Sequence, residues 1–289
     1  MPGTIIDTHL HLWDPGLLRY NWLDDIPLLN RSYLIEDYRN ETSGLVIEHM
    51  VFVQCEVDTT LYRQEVDWVT ELAGIDNRIA GIVPWAPLEL GDGADEAVAE
   101  LAENPLVKGI RRIIQFEADA DFCLRPNFVR GVRNLAKHGL HFEVCLKGDG
   151  QFANCIQLVE KCPEVRFLLN HIGKPYIING TMQPWSDHLR RFASLPNTWC
   201  KVSGLANEAD MALWTYDDLN PYLATVFEAF GWSRVMFGGD WPVALLATGY
   251  NRWVNTVERQ ALAVGASRLD LDRLFAGNAR EFYRLEPPT

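Results

Sequence analysis

Short β-rich runs recur along the whole chain, at residues 4–9, 49–54, 79–84, 107–114, 140–146, 165–171, 198–203 and 234–240. Segments with helical spacing of apolar residues lie between most of them, at 62–73, 94–102, 128–138, 153–160 and 221–230. Strand and helix thus alternate about every 25 to 45 residues, the signature of repeated βαβ units and a parallel sheet. Eight such strands predict an α/β fold of the (β/α)8 TIM-barrel type. Barrels of roughly 250 residues are commonly one domain, so a single domain over residues 1–289 is expected.

A parallel barrel gathers the C-terminal ends of its strands around one cavity, where such barrels do their chemistry. Three polar pieces sit at strand ends: Asp7-Thr8-His9-Leu10-His11, Asn170-His171-Ile172-Gly173-Lys174-Pro175 and Phe237-Gly238-Gly239-Asp240-Trp241-Pro242. Two connections on the same face, 13–48 and 173–197, are long enough to be read as lids or binding loops.

Strand parity offers a test independent of any motif. In the fifth strand Leu140, Phe142, Val144 and Leu146 alternate with His141, Glu143, Cys145 and Lys147. The apolar set suits the outer helix layer, which turns the polar set inward. By the same count Ile6, Thr8 and Leu10 oppose Asp7, His9 and His11 in the first strand. An inward row of polar groups is costly unless paired, hydrated or bound to ligand, so that row marks a site.

Each polar piece has a plausible chemistry and a plain alternative. His9 and His11 put two imidazoles on one strand face, able to hold a divalent metal or bond a substrate oxygen, though an HxH pair alone is a weak motif. His171 is left at the rim by the Gly173-Lys174-Pro175 that follows it; otherwise it is a core histidine. Asp240, after an apolar strand, is placed as a general base; otherwise it is a turn aspartate. Arg111 or Arg112 can point a guanidinium fork inward, and Arg111 shares parity with Gly109. Lys201 is either a cation near substrate or a partner for Glu143. Gln54 and Glu56 end the second strand and can bind hydroxyls. Trp13, Tyr20, Trp22, Trp85 and Trp241 lie near the same face and could stack on a sugar-like ring.

Composition removes several function classes. A net charge of −13 and a pI near 5.0 disfavour nucleic acid and anionic membrane as partners. No apolar run long enough to span a bilayer and no signal-peptide pattern is present, so cytoplasm is the expected location. The six cysteines show no CxxC spacing and are expected to be free thiols. There is no GxSxG elbow, phosphate-binding loop, GxGxxG turn or HExxH helix.

The motifs resemble, in order and over nearly the whole chain, the lactonase branch of the amidohydrolase superfamily, which contains L-fuconolactonases and the 2-pyrone-4,6-dicarboxylate lactonase. The matching pieces are Ile6 to His11, Tyr20-Asn21-Trp22-Leu23, Val53-Gln54, Gly109-Ile110-Arg111, Leu140 to Glu143, Asn170 to Pro175, Lys201 to Leu205 and Phe237 to Val243. The resemblance implies that His9, His11, His171 and Asp240 fall on active-site positions, with Arg111 on a fourth-strand arginine. Lys201 stands where two-metal members are expected to have a further histidine, so a binuclear centre is not expected. The cofactor is either none or one zinc held by His9, His11, His171 and Asp240.

The implied reaction is hydrolysis of a sugar-derived 1,4- or 1,5-lactone, with Asp240 activating water and His9, His11, His171 and Arg111 stabilising the oxyanion. Gln54, Glu56, Trp85, Glu143, Lys201, Trp241, Tyr20 and Trp22 would contact the sugar. The alternatives are a zinc-dependent decarboxylase of the same superfamily and a barrel that binds a sugar acid without turning it over.

Overall fold

The computed structural model describes residues 2–286, so the first and last three positions of the expected domain fall outside it. Eight strands form where the apolar runs predict them: β1 (Ile5–Leu10), β2 (Ile47–Val53), β3 (Ile79–Val83), β4 (Gly109–Arg111), β5 (His141–Val144), β6 (Phe167–Leu169), β7 (Thr198–Val202) and β8 (Val235–Phe237). They pair in parallel as β1-β2-β3 and as β4 through β8. Parallel bridges Ile82 to Val107 and Leu10 to Trp241 join the two sheets into a ring. The seams carry Lys108 N–H to Ile82 O at 3.0 Å and His11 N–H to Trp241 O at 2.8 Å. The chain is a (β/α)8 barrel.

Each strand is followed by a helix: α1 (Ile35–Glu41), α2 (Tyr62–Ile75), α3 (Asp95–Ala102), α4 (Pro126–Asn134), α5 (Asp149–Lys161), α6 (Trp185–Ala193), α7 (Tyr216–Phe230) and α8 (Tyr250–Ala263). Two more, α9 (Arg268–Asp272) and α10 (Asn278–Tyr283), end the described chain. The two long connections are therefore less open than expected. The first contains α1, and the second contains α6, which buries Trp185, Leu189 and Phe192 along one stripe.

Parity divides the strand residues cleanly. Phe52, Ile82, Ile110, Phe142, Val144, Phe167, Leu169, Cys200, Val202 and Val235 join the layer between strands and helices. The alternate positions Val51, Val53, Val83, Leu168 and Met236 fill the barrel interior, where Ala279, Phe282 and Tyr283 of α10 pack against them. Of the expected inward set of the fifth strand, His141 and Glu143 face the interior, where Glu143 bonds to Lys201 and Tyr283, and Cys145 lines the cavity, but Lys147, beyond the strand's end, is exposed and pairs with Glu208 at 2.9 Å.

The first strand departs from the simple count. Ile6 belongs to the interior cluster and Leu10 to the outer layer, yet His9 faces inward toward Arg111 and Lys201. A register shift between Asp7 and Leu10 accounts for the odd spacing. Asp7 consequently turns toward the helices, where Tyr38 of α1 and Tyr250 of α8 each donate to its carboxylate at 2.9 Å. Backbone N–H groups of His9 and Gly239 also donate to it, at 3.0 and 2.7 Å. Asp7 is a fastener between β1, the turn after β8 and two helices. All six cysteines are free and buried, as expected, and no helix among the described residues is long and apolar enough to cross a membrane.

Candidate active site

Directly after β6 the chain leaves the sheet through His171, Ile172 and Lys174, all left-handed, at φ +51°, +50° and +48°. Asp240, after β8, sits at φ +55°, and Glu56, after β2, at +52°. Side chains other than glycine seldom adopt this region, which costs of order 1–3 kcal/mol each and is found where surrounding structure imposes it. Of these five residues, only Ile172 does not line the cavity at the C-terminal end of the barrel. Backbone bonds hold two of the turns: Lys174 N–H to His171 O at 2.9 Å and Asp240 N–H to His9 O at 2.8 Å.

The cavity measures about 580 Å³. His11, Arg111, His171 and Asp240 line it with polar groups at the strand ends, and Glu56, Lys174 and Gln115 add to the polar lining. Trp13, Trp22, Ile113, Phe116 and Val243 make the apolar side. Trp22 packs edge-on against Trp13 with centroids 5.3 Å apart and donates its indole N–H to Cys55 O at 2.7 Å. The 13–48 connection thus supplies an aromatic wall, whereas the 173–197 connection contributes Lys174 alone.

His9 is fully buried and not on the cavity wall. Its Nε2 is 3.7 Å from Asp240 Oδ1 and 3.3 Å from Arg111 Nη1, while its Nδ1 is 3.4 Å from Lys201 Nζ. His11 Nδ1 donates to Val53 O at 2.7 Å, so its Nε2 carries the lone pair, 3.6 Å from Asp240 Oδ1. His171 Nδ1 is 3.0 Å from Ser203 Oγ and 3.9 Å from Asp240 Oδ2.

Electrostatics separate the roles. Burial, then the nearby Lys201 ammonium, holds the His9 imidazolium well below its usual range, and burial, with Lys174 and Arg111 adding to it against the pull of Asp240, pushes His171 down to about 3. Burial also lowers His11, against the pull of Asp240. Burial works to raise Asp240, but His171, His11 and Lys174 together overcome it and keep the carboxylate ionised. Arg111 has no carboxylate within ion-pair distance among the described residues; its bonds run to Gln54 O and toward His9, and its Nε has no partner. A buried guanidinium of this kind is prepared to receive an anion.

Six positions expected to touch substrate are packed elsewhere. Glu143 is fully buried and accepts from Lys201 Nζ at 2.7 Å, Tyr283 Oη at 2.7 Å and Asn170 Nδ2 at 2.9 Å, which leaves both it and Lys201 in the interior below the cavity. Gln54 is buried and donates to Glu56 Oε1 at 2.6 Å. Trp241 is buried against Tyr33 and Tyr38, with centroids 5.4 and 5.5 Å away. Tyr20 is buried within the first long connection, and Trp85 packs at a tilt of 59° against Tyr62, with centroids 5.2 Å apart. The large aromatics Tyr20, Trp85 and Trp241 pack the loop bases instead of the ligand space.

Three residues at the site carried no sequence signal of their own. Ser203 orients His171. Gly204 lies at φ +64° where a side chain would strike both His171 and Asp240. Glu65 of α2 reaches the back of the second strand's end, accepting from Cys55 N–H at 3.2 Å, and burial raises its carboxyl to about 8.

The sequence model of the amidohydrolase family matches residues 6–285. The chain belongs to the amidohydrolase family. An L-fucono-1,5-lactonase from Burkholderia multivorans is 32% identical to this amidohydrolase over 294 residues, 98% of this chain and 97% of that protein. An L-rhamnono-gamma-lactonase from Scheffersomyces stipitis is 24% identical, covering 97% and 98%. A crystal structure of an amidohydrolase from Burkholderia multivorans with bound zinc matches this amidohydrolase with a TM-score of 0.88 at 30% identity, over 98% of this chain and all of that one.

Ligand atoms of His9, His11 and Asp240 lie within 4.8 Å of one another, two imidazoles and a carboxylate of the composition that holds a divalent metal. The fixed Nδ1–H of His11, leaving its Nε2 unprotonated, fits that role.

Proposed function

We propose that this amidohydrolase is a lactonase that opens a sugar-derived 1,4- or 1,5-lactone to its hydroxy acid. The observation that carries the reading is the meeting, in one cavity, of an ionised buried carboxylate and a buried guanidinium without an acidic partner. The similarity to two sugar lactonases gives the substrate class.

Asp240 takes a proton from a water, whose oxygen bonds to the ester carbonyl carbon. Negative charge gathers on the carbonyl oxygen, where Arg111 and His171 donate; the desolvated setting makes each such donor count for more than in water. The bond from carbonyl carbon to ring oxygen then breaks, and Asp240 returns its proton to that oxygen as it becomes a hydroxyl. His11, its Nδ1 tied to Val53 O, turns Nε2 toward Asp240 Oδ1 at 3.6 Å and helps to place that carboxylate. A divalent ion held by His9, His11 and Asp240 would, when bound, polarise the carbonyl or the water. The aromatic wall of Trp13 and Trp22 suits the apolar face of a sugar ring, and Glu56 its hydroxyls.

An indicator assay for acid release from a panel of aldono- and uronolactones, with and without prior chelation, tests the reading. Turnover of at least one sugar lactone is expected. No acid release from any of them, under either condition, would overturn it.

A further inference from the structure

Glu56 lies on the cavity wall with its backbone at φ +52°, and a single neighbour fixes it twice. The side-chain amide of Gln54 donates to Glu56 Oε1 at 2.6 Å, and Glu56 N–H donates back to Gln54 Oε1 at 2.5 Å. The backbone oxygen of the same Gln54 accepts from Arg111 Nη2. Gln54 thus ties down the guanidinium and the acid separately, and among the described residues Glu56 has no cation within ion-pair distance. Glu208, by contrast, faces Lys147 at 2.9 Å and Lys174 at 3.8 Å. A left-handed backbone is tolerated where the surrounding structure imposes it, and here it presents a carboxylate to the cavity with most of its acceptor capacity unfilled.

We propose that Glu56 is a specificity-determining residue that admits lactones whose remaining carbons carry hydroxyls and turns away lactones that end in a second carboxylate. Trp22 donates its indole N–H to the carbonyl of Cys55, the residue beside Glu56, at 2.7 Å, so a ring lying on the Trp13–Trp22 wall has the Glu56 carboxylate at its edge. Hydroxyls there give Glu56 the donors it lacks. A carboxylate there has no hydrogen to give and sets two like charges together at a partly desolvated wall, which is how a site rejects the wrong partner. Asp25, on the same lining and in no ion pair among the described residues, adds to that charge. The cation that could reverse the preference is Lys174, but it follows β6, on the opposite side of the ring from β2, and stands 3.8 Å from Glu208.

The assignment rests on the reading of this cavity as a sugar-lactone site, and it separates aldonolactones from their acidic counterparts. The experiment compares kcat/KM for an aldono-1,4-lactone, the aldaro-1,4-lactone of the same configuration, and the terminal amide of the latter, which has the shape of the acid without its charge. The full-length protein should use the first and the amide, and should use the acid at least about tenfold less well, through KM. Glu56→Gln should make acid and amide equal substrates, whereas Glu56→Asp, which keeps the charge and suits a left-handed backbone, should preserve the difference. A wild type that treats acid and amide alike, or prefers the acid because Lys174 receives it, would overturn the proposal whether or not either variant folds. A folded Glu56→Gln protein with the wild-type ratio would overturn it as well. Dissociation constants for the three corresponding lactams, measured by calorimetry, give the same ratio without turnover. Failure to hydrolyse any lactone would therefore sink the lactonase reading while the lactam ratio still judges Glu56, and lactams that do not bind at all would overturn both.

Discussion

His171 and Asp240 come from strands β6 and β8 and face each other across Gly204, imidazole Nδ1 to carboxylate Oδ2 at 3.9 Å. A methyl group on Gly204 would lie 2.5 Å from that nitrogen and 2.6 Å from a carboxylate oxygen. Gly204→Ala should therefore push the two side chains apart and strain a backbone held at φ +64°. Displacements near 1 Å cost roughly 10²-fold in rate, so kcat/KM for lactone hydrolysis should fall by about that factor. Circular dichroism and kcat/KM on the same preparation check it; a folded variant of normal activity would be the contrary result.

Asp240→Asn keeps the shape of the side chain and removes its basicity. A positioned base contributes about 10²- to 10⁴-fold, and kcat should drop within that range while KM changes little. Steady-state kinetics on whichever lactone the panel selects make the comparison.

Arg111→Met deletes the guanidinium that, in the proposed mechanism, faces the developing negative charge. Loss of one such donor typically lowers kcat about 10²- to 10³-fold. Arg111→Lys should recover only part of this, because a point charge cannot reproduce the fork that reaches Gln54 O and the His9 side together. A lysine variant as active as the parent would remove the fork from the argument.

Glu65 holds its proton up to about pH 8 in the folded protein, against an ordinary value of 4.5. Between those values the unfolded chain has already released a proton that the folded chain retains, so raising the pH favours unfolding. This contribution is fully present below pH 4.5 and disappears as pH rises through about 8, with a slope of up to about 1.4 kcal/mol per pH unit. Glu65→Gln keeps an acceptor for Cys55 N–H and should flatten that part of the profile. Denaturant midpoints for both proteins between about pH 5 and about pH 8 measure the difference.

The barrel was legible because buried parallel strands leave apolar runs, and all eight runs became strands. Their ends were harder to place: β4, β6 and β8 are three residues each, since the chain turns away just where the polar residues begin. Helix α6 leaves a weak sequence signal because His188, Arg190 and Arg191 dilute its apolar stripe. A count by twos puts Asp7 on the inward side of β1, and the register shift between Asp7 and Leu10 turns it outward. The cavity residues His11, His171, Asp240 and Arg111 stood out as charges ending apolar runs. Ser203 and Gly204 did not, because their importance lies in what stands opposite them in space.

Glu143 waits 140 residues for Tyr283, whose hydroxyl donates to it from α10 at 2.7 Å. Synthesis runs from the N-terminus, so a growing chain completes most of the sheet while this carboxylate still lacks one of its donors. Until α10 arrives, the lower opening of the ring admits water to an acid that the finished protein keeps dry. A ribosome-bound intermediate stopped before α10 would accordingly have its strands while the Glu143–Lys201 pair still lacked the Tyr283 hydroxyl.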